Sequence, residues 1–269
     1  MNLRRTSISR LVAVALLLAF VALTVGCGSL GGGQNTFAPG GDVARDQRDI
    51  FYLALWPAIV ILIIVFGLLT YALVRYRRRR EDEPIPTQVH GNQRLEIAWT
   101  VLPALLLIGL AVPMLAMIVD IGRAPADDAF PVVVTGQRFS WTFEYSDLQD
   151  ADGKPLSITG TPGQPAELHV PVGREIGFSL ESIDVIHSFW IPKLAGKQDA
   201  VPGRTNTLWF TIDEPGQYPG QCAEFCGLLH AQMRMTIIAH SEADFQAWCE
   251  EQLGVEPGAA ACQLEALGA

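Results

Sequence analysis

The residues best equipped for chemistry lie in one run near the C-terminal end: Cys222-Ala-Glu224-Phe-Cys226-Gly-Leu-Leu-His230-Ala-Gln-Met233. Two thiols, an imidazole and a thioether fall within twelve residues. That mixture selects copper over magnesium or calcium, and the thioether disfavours a structural zinc site. A single blue-copper centre uses one Cys, two His and a weak axial Met. Here two Cys stand four residues apart, so their thiolates could bridge two metals, and a second His must then come from elsewhere. His187, in Asp184-Val-Ile-His187-Ser-Phe-Trp-Ile-Pro192, is the best placed, on a strand end before a loop. Each residue also has a plainer reading. Cys222 and Cys226 could form a disulfide in an oxidising compartment, Met233 could fill a core, and His187 could be an ordinary buried histidine. Four ligand types at one fixed spacing favour a dicopper site over these separate readings.

Such ligands need a rigid frame, and the second half of the chain reads as an all-β domain. Arg138–Tyr145 alternates, with Phe139, Trp141, Phe143 and Tyr145 on one face and Arg138, Ser140, Thr142 and Glu144 on the other. Glu167–Val172, Glu175–Leu180 and Thr205–Ile212 also read as strands, between turns such as Thr161-Pro162-Gly163 and Val201-Pro202-Gly203. Short strands at this spacing make a sandwich or barrel. Ser241 with Asp244 marks a capped helix whose apolar stripe is Phe245, Trp248 and Leu253. Cys249 on that helix and Cys262 in the tail could form a disulfide. His90, His169 and His240 show no partner pattern and read as exposed or structural.

The first half carries the anchor. Ile50–Val74 is 25 residues without charge, enough at ~1.5 Å per residue to cross a ~30 Å hydrocarbon core. It ends in Arg75-Tyr76-Arg77-Arg78-Arg79-Arg80, a cytoplasmic marker. Ala98–Val119 is a second span, interrupted by Thr100, Pro103 and Pro113, and Trp56 and Trp99 suit an aromatic belt. Ahead of both, Arg4, Arg5 and Arg10 precede an apolar run, Leu11–Val25, that ends in Leu-Thr-Val-Gly-Cys27. This reads as an export signal whose end resembles a bacterial lipobox, which would make Cys27 a lipidated N-terminus; the plainer alternative is a signal peptide cleaved elsewhere. The expected organisation is therefore a signal over 1–27, a flexible tether over 28–49, a transmembrane hairpin over 50–122 and an extracytoplasmic β domain over 123–269.

Composition agrees. The 269 residues are 49% hydrophobic and only 17% charged, against about a quarter charged in ordinary soluble domains. From Arg123 onward eight basic and twenty acidic residues give −12, so with −9 overall the first 122 residues carry +3. An acidic exported part excludes a nucleic-acid binder that needs a basic face and suits a basic protein partner.

The Cys-x-Glu-x-Cys-x-x-x-His-x-x-Met run, with Asp-Val-Ile-His-Ser upstream, resembles cytochrome c oxidase subunit II and its CuA centre. The resemblance covers nearly everything from Ile50 to Trp248. It implies a membrane-anchored all-β protein of the bacterial plasma membrane, a two-helix hairpin followed by a cupredoxin-like β-barrel. It implies two coppers bridged by Cys222 and Cys226, with His187 and His230 as terminal ligands and Met233 and the Glu224 carbonyl as weak ones. It also implies that the Glu224 side chain reaches a Mg²⁺ at the interface with subunit I, which alone carries the haems. Electrons from cytochrome c would pass through CuA to subunit I, where oxygen is reduced and protons are pumped. Glu96-Ile-Ala-Trp99 resembles the family's Glu-x-x-Trp, whose glutamate lies at the mouth of a proton pathway (the K-channel); as a plainer alternative, Glu96 is a helix-terminal acid facing the dipole. Where Phe139 falls, the family usually has a Trp that takes the electron from cytochrome c. Phe139 and Trp141 are therefore the candidates for electron acceptance, with Asp147, Asp150, Asp152 and Asp184 as docking acids.

Two other readings compete. A quinol oxidase subunit II shares anchor and barrel but lacks copper, and Cys222, Cys226, His230 and Met233 argue against it. A copper metallochaperone would need neither Glu96 nor a two-helix anchor. No Cys-x-x-Cys-His occurs, so no c-type haem attachment is expected.

Overall fold

The computed structural model describes residues 32–77, 87, 88, 91–150 and 152–263. The expected signal and lipobox with Cys27, His90 and Arg78 to Arg80 lie outside the described residues.

Two long helices come first, α1 (Asp42–Arg75) and α2 (Gln93–Ile121). Both are apolar all round, and no residue of their most apolar stretches is buried within the chain. Such a surface is stable only where the solvent is itself apolar. α2 starts at a reciprocal cap. The Asn92 side chain accepts from the Arg94 and Leu95 N–H groups, and the Glu96 carboxylate accepts from the Asn92 N–H at 3.2 Å. Pro57, Pro103 and Pro113 lie inside the helices.

The start of α1 corrects the expected tether at 28–49 and the expected hairpin boundary at 50. The helix begins at Asp42, whose carboxylate accepts from the Val43 N–H at 2.7 Å and from the Thr211 N–H at 2.9 Å. Val43 and Ala44 are fully buried. Gly40 donates to the Lys193 carbonyl at 2.8 Å and accepts from the Asp213 N–H at 2.9 Å. A Cβ on Gly41 would fall 2.4 Å from the Thr211 carbonyl oxygen. Gly40 and Gly41 therefore let the chain lie close against the β domain.

The β domain holds ten strands in two sheets. One has the order β3-β2-β1-β5-β8, from β1 (Phe130–Gln137), β2 (Ser140–Gln149), β3 (Pro155–Thr159), β5 (Glu175–Ser182) and β8 (Asn206–Thr211). The other has the order β4-β10-β9-β6-β7, from β4 (Ala166–Pro171), β6 (His187–Trp190), β7 (Gln198–Ala200), β9 (Gly216–Cys222) and β10 (Arg234–His240). β1 runs parallel to β5 and β4 parallel to β10; the other pairings are antiparallel. Burial along β1 alternates strictly, and Val132, Val134, Trp141, Phe143, Tyr145 and Phe178 face Leu168, Phe189 and Ile237 in one core. The sandwich expected from the strand spacing is present, as is the alternation of Trp141, Phe143 and Tyr145. Phe139 departs from it. Arg138 and Phe139 form the turn between β1 and β2, so Phe139 is not a strand residue.

Helix α3 (Glu242–Leu253) closes the domain. The Ser241 hydroxyl accepts from the Asp244 N–H at 3.3 Å and donates to its carboxylate at 2.6 Å. Phe245 and Cys249 are buried, and Cys249 is disulfide-bonded to Cys262. His169 and His240 are not the lone histidines expected. Parallel pairing of β4 with β10 brings His169 Nδ1 within 2.8 Å of His240 Nε2, and Trp248 stacks on His169 at 4.5 Å.

Candidate metal centre

Neighbouring strands β6 and β9 deliver the first ligands. Phe189 pairs with Cys222, so His187 at the start of β6 lies beside Cys222 at the end of β9. The chain then leaves the sheet through residues 223–232 and returns at Met233. Its base is closed by the Cys222 N–H, which donates to the Met233 carbonyl at 2.9 Å. The Ala223 N–H donates to the Ser188 carbonyl at 2.9 Å, which fixes the first step of the loop onto β6. A 3-10 turn over His230–Gln232 brings His230 back toward the thiols.

The donor atoms converge. Cys222 Sγ lies 3.9 Å from His187 Nδ1, and Cys226 Sγ lies 3.7 Å from both His230 Nδ1 and Met233 Sδ. The Glu224 carbonyl oxygen is 3.3 Å from Cys222 Sγ. One ligand atom each from His187, Cys222 and Cys226 lies within 4.8 Å of the others. Two donors on one tetrahedral metal, at roughly 2.3 Å for sulfur and 2.0 Å for nitrogen, stand about 3.6 Å apart. The observed nitrogen–sulfur separations are close to that value and longer than a strong hydrogen bond. Cys222, Cys226, Met233 and His187 are buried, and His230 is half-buried.

The charges argue the same way. Burial pushes the Cys222 thiol up, but hydrogen bonds from His187 and the Ser188 main chain outweigh it and bring it below the usual thiol range. Burial and the adjacent Cys222 charge push the Cys226 thiol well above that range. The pair by itself tolerates one thiolate and resists two. Two thiolates at this spacing require a cation to neutralise them.

A supporting shell orients His187. Its Nδ1 faces Cys222, and its Nε2 lies 2.9 Å from the Asp184 carboxylate. Asp184 also accepts from the Arg138 N–H at 2.8 Å and the Val185 N–H at 2.6 Å. Burial would raise the Asp184 carboxyl, yet these donors hold it well below the usual carboxylate range. A carboxylate on the outer nitrogen fixes the tautomer of a metal-binding imidazole. The Trp141 ring meets the His187 ring edge-on at 5.9 Å. Gly136 on β1 makes the space, since a Cβ there would stand 2.9 Å from the imidazole.

The other expected site residues are dispersed. Phe139 is half-buried, and its ring lies against Gly227 of the ligand loop. Trp141 is fully buried beneath it in sequence, behind His187. The four acids named as docking candidates lie in two places, Asp184 beside Arg138 and the other three away from it. Asp184 is engaged with His187 and Arg138, while Asp147, Asp150 and Asp152 lie at and beyond the other end of β2. Asp147 lines a cavity with Pro125, Ala126 and Pro131, and Asp150 accepts from the Asp152 and Lys154 N–H groups of its own turn. An extended strand carries residues eight or more apart toward opposite ends of the sheet. The Glu224 carboxylate is exposed and 3.9 Å from Lys197 Nζ. Glu96 is exposed at the start of α2, far along the chain from the metal loop.

Sequence reasoning passed over the apolar residues that surround the ligands. Phe225 and Leu228, within the loop, are 78% and 93% exposed, and Ile183 and Ile186 are exposed just before His187. The signal was their position: large apolar side chains between ligands on a loop have no core to enter.

The sequence matches the family model for the periplasmic domain of cytochrome c oxidase subunit II over residues 130–240. It matches the model for that subunit's transmembrane domain over residues 38–117. It is 38% identical over 255 residues to cytochrome c oxidase subunit 2 of Alkalihalophilus pseudofirmus, which covers 93% of this chain and 70% of the relative. It is 34% identical over 250 residues to quinol oxidase subunit 2 of Bacillus spizizenii, covering 91% and 73%. Among solved structures, the periplasmic domain of subunit II of cytochrome oxidase from Bradyrhizobium japonicum is 29% identical. It covers 49% of this chain and 96% of its own, with a TM-score of 0.41.

Proposed function

The chain belongs to the cytochrome c oxidase subunit II family, and from that premise we propose that its β domain holds a two-copper CuA centre that accepts electrons from a cytochrome c. As a member it is part of a haem–copper oxidase, a redox enzyme complex, and crosses the membrane twice with its C-terminal domain outside the cytoplasm. The convergence of Cys222, Cys226, His187, His230 and Met233 at metal-ligand separations carries the proposal.

In this reading Cys222 and Cys226 bridge, His187 and His230 bind terminally, and Met233 and the Glu224 carbonyl are weak ligands. Two coppers sharing one electron through two thiolates would change charge little at each metal. The chain's own contribution is to keep the donors still. The main-chain closure at Cys222 and Met233, the Asp184 bond to His187 and the packing of Trp141 all oppose rearrangement. Burial keeps water from the thiols. Docking falls to the exposed apolar residues around the loop, with Phe139 beside them and Trp141 behind. Apolar patches of this kind anchor transient partners, and surrounding charge sets the association rate.

Electrons pass from this site to subunit I in the same reading. Glu96 serves the proton pathway there, and its bond to the Asn92 N–H is the competing structural role. The Glu224 carboxylate offers one ligand toward a magnesium ion. Among the described residues it belongs to no group of three ligands, so the remaining ligands would have to come from subunit I. Residues 1–27 are a signal ending in lipidated Cys27.

The quinol-oxidase reading is separated by the thiols, since a subunit without copper has no use for two buried free cysteines beside two histidines. Copper analysis and spectroscopy of the purified oxidase test the proposal. Two coppers on this chain, a near-infrared absorption band and a mixed-valence paramagnetic signal are expected. A chain without copper overturns it.

A further inference from the structure

A cavity of about 530 Å³ lies where the outer ends of the two membrane helices meet the β domain. Its volume is in the range of small-molecule sites. Ile50 from α1 and Ile118 and Ile121 from the end of α2 line one side, and Arg123, Lys197 and Arg204 supply cations. Polar donors stand among them, including Gln47, Gln198 and Asn206, and no carboxylate lines the cavity. This is the reverse of its surroundings, since the chain from Arg123 onward carries −12.

The three cations are not equivalent. Arg123 is committed. Its guanidinium grips Glu175 through two hydrogen bonds, at 2.6 and 3.1 Å, and lies 3.6 Å over the Trp209 ring. It shapes the wall. Lys197 lies 3.3 Å from Asp199 and 3.9 Å from Glu224, exposed pairs that a stronger anion can displace. The Arg204 main-chain N–H donates to the Val201 carbonyl, but its side chain is exposed, and among the described residues no side-chain hydrogen bond or ion pair holds the guanidinium. A free guanidinium is a fork for phosphate oxygens.

Position selects among phosphate-bearing ligands. Ile50 opens the uncharged stretch of α1, and Ile118 and Ile121 lie in the last turn of α2, at the depth where acyl chains meet headgroups. The cations rise from that floor on the extracytoplasmic side. We propose that this cavity binds the headgroup of an anionic phospholipid of the outer leaflet, with Arg204 on the phosphate and the isoleucine wall against the first acyl carbons.

The test uses the whole oxidase carrying the wild-type chain, Arg204→Gln or Arg204→Lys. Each complex is stripped of lipid in detergent and exposed to vesicles of phosphatidylcholine containing phosphatidylglycerol. Retained lipid is then counted by native mass spectrometry. The wild type is expected to retain phosphatidylglycerol over phosphatidylcholine. Arg204→Lys should keep this preference, and Arg204→Gln should hold the anionic lipid about fivefold more weakly at this position. Inorganic phosphate at matched ionic strength should not displace it. Equal retention by all three complexes overturns the proposal, and so does indifference of the wild type between the two lipids, which needs no variant to observe. Displacement by inorganic phosphate overturns the lipid assignment by showing that the cavity reads a free anion.

Discussion

The β domain contains two regions made from nearly the same parts. The metal loop has Cys222, Cys226, His187 and His230 beside Trp141, and the closing helix has Cys249, Cys262, His169 and His240 beside Trp248. In the first, each thiol faces an imidazole and neither sulfur is bonded to the other. In the second, sulfur is bonded to sulfur and imidazole to imidazole. Like groups that satisfy each other leave nothing for a metal. Unlike donors held at the separations of ligands on a shared metal leave a site. Residue inventory thus decides less than which strand ends are neighbours.

Exchanging the roles of the two regions should break them differently. Cys226→Ser removes one thiol of the proposed centre, so if that centre is present the mixed-valence signal should vanish and electron transfer from cytochrome c should fall by more than about a hundredfold. Paramagnetic resonance and stopped-flow reduction of the oxidase would record both. A retained dicopper signal would end the parallel between geometry and role.

Cys249→Ser should act on stability and leave the copper spectrum as it is. The closed loop spans a sequence separation of 13, for which the chain-entropy account gives about 3 kcal/mol. Thermal unfolding of the purified oxidase, followed by fluorescence near Trp248, is the measurement. An altered copper signal in this variant would show that the regions are coupled.

Asp184→Asn tests whether His187 depends on a fixed orientation, for which the other region has no counterpart. Copper affinity should drop by about 10- to 100-fold while the fold persists. Competition with a copper chelator measures it, and unchanged affinity would reduce Asp184 to a turn-forming residue.

The histidine pair of the closing helix yields the smallest effect. Burial, aided by the nearby His240, lowers His169 from 6.5 to about 4, and burial lowers His240 as well. The unfolded chain therefore binds more protons between these values. Stability from His169 is complete above about pH 6.5 and is lost as pH falls toward 4, by roughly 2 kcal/mol. Glu167 and Asp244 are the carboxylates that face the pair. His169→Gln should flatten this segment of the pH–stability curve relative to wild type, and denaturant titrations across pH 4–7 would show it.

These contrasts explain what could be read from the sequence alone. The convergence of His187 with Cys222 and Cys226 was legible because five of the six proposed donors lie within one short run and His187 carries its own local pattern. The membrane spans were legible because lipid imposes a continuous apolar requirement. The histidine pair was not, since 71 residues separate His169 from His240 and only parallel strand pairing unites them. Phe139 was misread because a turn residue that lies over Gly227 keeps the apolar parity of the strand it precedes. The scatter of Asp147, Asp150 and Asp152 was not legible either, because nearness in sequence to Phe139 along an extended strand means distance in space.

The bond between the Cys222 N–H and the Met233 carbonyl makes the metal loop a detachable cassette. β9 and β10 pair from Gln221 and Arg234 onward whatever the intervening residues do. Evolution can therefore rewrite the stretch from 223 to 232 without renegotiating the sheet beneath it. One lineage could lose its metal while retaining anchor, barrel and interfaces. An engineer could install the twelve residues from Cys222 to Met233 on another barrel, provided that a neighbouring strand begins with one histidine.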